Sequence, residues 1–175
     1  ICYVGGLPKK RQWPYEYKAP FSPVDVLEEY IRPARYVVNH QIVTKPALSD
    51  PELVDIDRIG TLEAFNTDGL RTLLKNQLAP NMIEKTLRYP GHRQIMQILR
   101  DSGFLNKNKI RIKDQSIRPI DLTSRLLFEQ WYLDDTEEEF TAMQVLMRGS
   151  YNGRKQQIRY DLFDTFHSET KTSSM

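Results

Sequence analysis

The dipeptide Asn152-Gly153 stands between two long strand-like runs, Phe140 to Tyr151 and Arg154 to Phe166. A tight two-residue turn needs positive φ at both central positions, and Asn-Gly is a favoured pair for that conformation. The pattern predicts a long antiparallel hairpin over the last third of the chain, and a sheet for it to join. Shorter strand-like runs occur at Cys2 to Val4, Leu53 to Ile56, Leu62 to Phe65 and Met82 to Tyr89. A further pair, Tyr36 to Val38 and Ile42 to Thr44, flanks Asn39-His40-Gln41. Strands outnumber a clean strand–helix alternation. The expected class is therefore α+β, a mixed and largely antiparallel sheet with helices packed on one face.

Helical segments have their own start and stop signals. Ser22-Pro23-Val24-Asp25 offers a cap, a proline at the first helical position and an acid in the first turn, with Val24, Leu27 and Ile31 as the expected buried stripe. Leu70, Leu73, Leu74 and Leu78 predict a second helix. Pro90-Gly91 opens a third with Ile95, Ile98 and Leu99 facing inward and Gly103 ending it, and a fourth runs from about Pro119 to Trp131. The long stretch Gly5 to Pro20 reads as a loop, and a loop that long in a compact domain is usually functional. Along Met82 to Tyr89, alternation puts Ile83, Leu87 and Tyr89 on one side and Glu84, Thr86 and Arg88 on the other. Helices are expected to cover the apolar side, leaving the polar side for a ligand cleft or a subunit contact.

Composition narrows the class. With 175 residues the chain is one domain, 1–175, long enough for a core and too short for two ordinary domains. A net charge of +2, with bases scattered among acids, argues against nucleic acid as the main partner. The single cysteine, Cys2, excludes an internal disulfide and fits a reducing, cytoplasmic setting. No apolar run approaches a membrane span. The chain opens on strand-like Ile1-Cys2-Tyr3-Val4 and closes on Thr172-Ser173-Ser174-Met175, so it is expected to be a piece of a longer protein.

The chemistry concentrates at two junctions where a strand breaks into a helix: Asn66-Thr67-Asp68-Gly69 and Tyr89-Pro90-Gly91-His92. Such a junction gathers unpaired N–H groups and the positive end of a helix dipole, a setting for a carboxylate or phosphate. Arg71 and Arg88 flank the two junctions, and either of them, or Arg35, offers a bidentate clamp for a carboxylate. Asn66 and Asp68 also suit the plain role of helix caps. His92 at a helix start is the candidate for proton transfer, since a helix N-terminus favours a neutral imidazole; a solvated first-turn residue is the competing reading. Lys18 is a candidate amine-handling base if partly buried. The chain has no glycine-rich nucleotide motif, no Cys/His metal spacing and no nucleophile elbow. The acidic run Asp134 to Glu139 reads as a solvated loop.

The segments GGLP at Gly5 to Pro8, YKAPFSPVDVLEEY at Tyr17 to Tyr30, RPARY at Arg32 to Tyr36, LEAFNTDGLRTL at Leu62 to Leu73 and EKTLRYPGH at Glu84 to His92 resemble the saccharopine dehydrogenase-type oxidoreductases, in particular the lysine dehydrogenases and saccharopine reductases. The resemblance implies a substrate-binding and dimerisation domain of the glyceraldehyde-3-phosphate dehydrogenase C-terminal type. NAD or NADP would be bound by a Rossmann domain elsewhere in the full-length protein. It implies oxidation of the C–N bond of an amino acid, lysine or saccharopine, by a homodimer; a non-catalytic amino-acid-binding module of the same fold is the alternative. By the same resemblance Phe21 and Ser22, in the loop from Lys18, face the substrate, and Asn66, Thr67 and Asp68 form the polar turn beside it. The residues' own chemistry adds Arg88 and Tyr89 to the binding set and His92 and Lys18 as catalytic candidates, with the remaining catalytic residues expected on the absent domain. Saccharopine reductases have an Asn-Arg-Asp-Ser type of turn here; Thr67 in place of that arginine favours a smaller amino acid such as lysine. No phosphate-binding glycine loop follows a strand, so calorimetric titration of this chain alone with NAD(H) should show no micromolar binding.

Overall fold

A computed structural model describes residues 1–134 and 136–174. Asp135, within the acidic run, and the terminal Met175 lie outside the described residues. The first strand, β1 (Cys2–Pro8), is longer than the sequence predicts and takes up the start of the expected loop. Helix α1 (Pro23–Ile31) leads to the hairpin β2 (Ala34–Val38) and β3 (Gln41–Lys45). Asn39 and His40 turn that hairpin with positive φ at both positions, so His40 does the work expected of a glycine. Strands β4 (Glu52–Ile56) and β5 (Gly60–Asn66), the single-turn helix α2 (Leu73–Asn76) and strand β6 (Glu84–Arg88) follow. Then come α3 (His92–Asp101), the small hairpin β7 (Ile110–Ile112) and β8 (Gln115–Ile117), and α4 (Pro119–Trp131). The chain closes with β9 (Glu139–Tyr151) and β10 (Arg154–Thr165), turned at Asn152-Gly153 as predicted.

Six strands form the main sheet in the order β10-β9-β1-β6-β5-β4. Only β1 and β6 run parallel; every other neighbouring pair is antiparallel. The class is the expected α+β. The chain starts in the middle of the sheet, walks to one edge, returns to β1 through β6, and adds the long hairpin on the other side.

Which face the helices cover is the reverse of the expectation. Helices α1, α3 and α4 pack Val26, Leu27, Tyr30, Met96, Leu127 and Trp131 around Phe65. The sheet register sets Phe65 opposite Thr86, on the face that also carries Arg88. The apolar face, with Leu7, Leu62, Ala64, Leu87, Phe140 and Ala142, buries itself without a helix. It does so because the sheet curls. Asp57, in the turn after edge strand β4, forms a 2.8 Å ion pair with Arg159 of the opposite edge strand β10. Curling turns that face into the inside of a half-closed barrel, and the strands' own side chains exclude water from it. Gly5 sits where β1 passes close to β6, and a Cβ there would lie 2.4 Å from the Leu87 carbonyl oxygen.

Local differences have local causes. In α1 the buried residues are Val26, Leu27 and Tyr30, while Val24 is 54% exposed, so the buried stripe is rotated from the one predicted. Ser22 precedes the helix without a side-chain capping bond. In α3, Met96 is buried and Ile98 is exposed, with Ile95 and Leu99 packed at the edge of the core. The four-leucine helix is the largest departure: only Leu73–Asn76 is helical, and Leu78 is 79% exposed. Gln77 takes a left-handed conformation and ends it after one turn. No helix among the described residues is long and apolar enough to cross a membrane.

Candidate functional site

Glu84, Thr86 and Arg88 alternate along β6 and lie on the helix-covered face of the sheet, beside Thr67 at the end of β5. Val4 and Gly6 of β1 form the floor next to them. Phe21, Glu29 and Arg32, from α1 and its flanks, close the opposite wall, and Asp68, Gly69 and Arg71 form the rim. Together they enclose a cavity of about 190 Å³.

Arg88 dominates the electrostatics. Its side chain is 2% exposed, and a guanidinium keeps its proton in a protein, so its charge must be met where it lies. Nε donates to the Tyr30 hydroxyl at 3.0 Å, Nη1 donates to the Leu87 carbonyl at 2.8 Å, and the group lies 4.7 Å over the ring of Tyr17. Nη2 makes a long contact, 3.5 Å, with Glu29. Tyr30 accepts from Arg88, so its own proton goes to His92 Nε2, 2.8 Å away. His92 must then carry its proton on Nδ1, which donates to the Tyr15 carbonyl at 2.7 Å. Burial, with the Arg88 charge beside it, pushes the His92 pKa down to about 3, and the imidazole is neutral. Burial pushes the Tyr30 phenol up, so it keeps its proton.

Glu84 is the second unusual group. It is 7% exposed, and Thr67 Oγ1 (2.9 Å) and the Gly69 N–H (3.1 Å) both donate to its Oε2. Burial raises its pKa to about 7, with the neighbouring Glu29 carboxylate adding to the shift and the two donors and Arg88 opposing it. Burial raises Glu29 as well, against the pull of Arg88. Asp68 behaves differently. Burial alone would push it up, but Arg35 donates to both its oxygens at 2.8 and 2.7 Å and holds it low.

The cavity therefore gathers Phe21, Thr67, Asp68, Arg71 and Arg88 from the residues singled out in the sequence. Ser22 does not line it. Asn66 turns away, donating through Nδ2 to Ser49 and Asp50. Tyr89 lies on the opposite, apolar face and donates to the Pro8 carbonyl. Lys18 is paired with Glu137 at 2.5 Å, away from the cavity. His92 sits behind Arg88 and does not line the cavity; Nε2 meets the Tyr30 hydroxyl and Nδ1 the Tyr15 carbonyl. Neither Asn66 nor Asp68 caps a helix, because α2 starts only at Leu73; the anion setting expected from a helix N-terminus is absent at this turn. Glu29 and Glu84 were not anticipated. Alternation already put Glu84 on the side of Arg88, but nothing local in the sequence brings Thr67 and Gly69 to it.

Gly5 and Gly6 lie inside β1, hydrogen-bonded within the sheet, and offer no nucleotide cradle. Among the described residues no group of three or more His, Cys, Asp or Glu is arranged to hold a metal ion.

Comparison with known proteins gives a coherent picture. A family model described as the saccharopine dehydrogenase C-terminal domain matches residues 1–175. Among solved structures, apo histidine-tagged saccharopine dehydrogenase (L-Glu forming) from Saccharomyces cerevisiae superposes with a TM-score of 0.75 at 18% identity. The match covers 99% of this chain and 54% of that one, so the chain spans about half the length of that solved relative. At this identity the likeness is one of fold.

The raised Glu84 carboxyl has a consequence for stability. The folded state holds the proton more tightly than the unfolded chain, so stability falls as pH rises from about 4.5 to about 7 and stays lower above that window. Glu84→Gln should remove this slope, gaining on the order of 3 kcal/mol relative to the parent on going from pH 4 to pH 8. Urea denaturation of both proteins across that range checks it. The lowered His92 pKa acts in the opposite sense, costing stability as pH falls below about 6.5, and it cancels in the difference between the two proteins.

Proposed function

The chain belongs to the saccharopine dehydrogenase C-terminal domain family, and from that premise we propose that it is the substrate-binding domain, residues 1–175, of a longer NAD(P)-dependent oxidoreductase. The full-length enzyme oxidises the C–N bond of an amino acid, lysine or saccharopine, in the cytoplasm. The observation that carries the reading is a buried guanidinium at the wall of a cavity. Arg88 is oriented by Tyr30, Tyr17 and the Leu87 carbonyl, yet its Nη2 has only a 3.5 Å contact with a partly exposed Glu29. A substrate carboxylate meeting that nitrogen, with Arg71 or Arg32 at the cavity edge, gains charge-assisted hydrogen bonds in a setting of low dielectric. Thr67, Asp68 and Phe21 shape the pocket around it. NAD or NADP belongs to another part of the protein, since the residues here do not fit a dinucleotide.

His92 and Lys18 have no direct part in this reading. His92 maintains the Tyr30 hydrogen bond that aims Arg88, and Lys18 ties the loop before α1 to Glu137.

In the full-length protein, Arg88→Lys should keep a positive charge but lose the fork geometry. KM for the amino acid should rise on the order of ten- to a hundredfold, with KM for NAD(P) little changed. Circular dichroism checks that the variant is folded. Unaltered substrate kinetics would make Arg88 a structural strand position. An intact full-length protein that turns over no amino acid would favour the non-catalytic binding module.

A homodimer goes with this reading. Val145, Met147, Ile158, Tyr160 and Leu162 share one face of the β9–β10 hairpin by register, and the last four are exposed. An apolar stripe on a long edge hairpin is self-complementary under a two-fold axis and is otherwise open to aggregation. Sedimentation should find dimers, and Tyr160→Lys with Met147→Lys should convert them to monomers; monomers throughout the concentration range would rule the contact out.

A further inference from the structure

Resting on the substrate-binding reading above, we infer that Glu84 is the seat for a primary ammonium group carried at the far end of the bound amino acid from its carboxylate. The carboxylate of Glu84 is built into place. Thr67 Oγ1 and the Gly69 N–H converge on one oxygen, Oε2, at 2.9 and 3.1 Å. A side chain at position 69 would put its Cβ 2.2 Å from that same oxygen, so glycine there keeps the N–H close. The other oxygen, Oε1, accepts no hydrogen bond among the described residues, and it is not among their buried atoms left without a partner, which are Tyr17 Oη, Asn66 Oδ1 and Trp131 Nε1. Oε1 is therefore an accessible, unbonded oxygen on a side chain that lines the cavity.

Its charge also lacks a direct ion-pair partner, since Arg88 acts on it only from a distance. Among the described residues Glu84 forms no ion pair, while the neighbouring acid Asp68 is fully engaged by Arg35. Glu29, on the facing wall, has only its long contact with Arg88. A more than nine-tenths buried carboxylate with an unbonded oxygen, on a side chain that lines a cavity, calls for a cation, and the cavity's own buried cation is already held by Tyr30 and Leu87.

Spacing selects the kind of cation. Glu84 and Arg88 are four residues apart on one strand, so their Cα atoms are separated by roughly 13 Å. With its carboxylate on Arg88, an amino acid holds its α-ammonium beside Glu29, which touches Arg88 at 3.5 Å, rather than at Glu84, which forms no ion pair with Arg88. An amino acid with several methylenes between carboxylate and terminal ammonium reaches from Arg88 to Glu84 along the cavity. Glu29 then stands beside the Arg88 end, where it can receive the α-ammonium.

The test uses the full-length protein and two probes of similar length, L-lysine and L-norleucine, which lacks the terminal ammonium. Calorimetry with the parent protein should show lysine bound more tightly. Glu84→Gln should weaken lysine ten- to a hundredfold and leave norleucine unchanged, removing the discrimination. Thr67→Val, which deletes one of the two donors that orient Glu84, should reduce the discrimination by a smaller factor. If Glu84→Gln weakens both probes equally, or neither, while Arg88→Lys still weakens both, the ammonium seat is wrong and the substrate-binding reading stands. If the parent protein binds neither probe, or if Arg88→Lys affects neither, the substrate-binding reading itself fails and takes this inference with it.

Discussion

The burial of one guanidinium organises the helix-covered side of this domain. Arg88 projects from β6 into a layer where a charge is costly unless it is paired and hydrogen-bonded. Its partners come from everywhere around it: Tyr30 and Glu29 from α1, Tyr17 from the loop before α1, and the Leu87 carbonyl from its own strand. Tyr30 passes the constraint to His92, at the start of α3, and His92 passes it to the Tyr15 carbonyl. His92 also lies against the rings of Tyr17 and Trp131, and Trp131 ends α4. One charge thus ties β6, three helices and the long loop into a single arrangement. A chain of hydrogen bonds of this kind tolerates few alternatives, because breaking any link leaves a buried polar group unsatisfied.

The same arrangement separates support from contact. The far end of the chain, from Tyr30 to His92 to Tyr15, is saturated and shielded, and its imidazole is neutral. The near end, at Arg88 Nη2, Glu29 and Glu84, is under-satisfied and opens on a cavity. Buried groups that lack full partners are costly to a fold that gains nothing from them, and they concentrate where a ligand supplies what is missing. Arg35 and Asp68 show the contrasting case at the rim, where the acid is fully met by a fork of two hydrogen bonds.

A curled sheet makes the polar interior affordable. The apolar side chains of Leu7, Leu62, Leu87 and Phe140 face the inside of the curl and need no helix. The helices are then free to pack on the other face, where aromatic and aliphatic residues such as Phe65, Tyr30, Met96 and Trp131 surround the charged group. Gly5 permits the close approach of β1 to the Leu87 carbonyl. Among the described residues the two larger clusters lie one between strands and one between sheet and helices, with the cavity at the margin of the second, and a small third cluster joins Tyr36 and Val37 to Leu70 and Leu74.

Local patterns in the sequence determined the pieces. Asn152-Gly153 set the last hairpin because few other pairs accept two positive φ angles, and Ser22-Pro23 and Pro119 marked helix starts because proline fits the first turn. Alternation along β6 correctly grouped Glu84, Thr86 and Arg88, since side-chain direction in a strand follows position alone. Only the tertiary structure decided which of the two faces the helices would cover, because that depends on how far the sheet curls, and curl is summed over six strands. Only the tertiary structure could cut the Leu70 to Leu78 helix to a single turn, where a left-handed Gln77 overrides periodicity. It alone decided that His92 would be sealed behind Arg88 and that Thr67 and Gly69 would grip Glu84, 17 and 15 residues away. Those are contacts between distant segments, and a one-dimensional pattern encodes the direction of a side chain but not what another strand or helix brings to meet it.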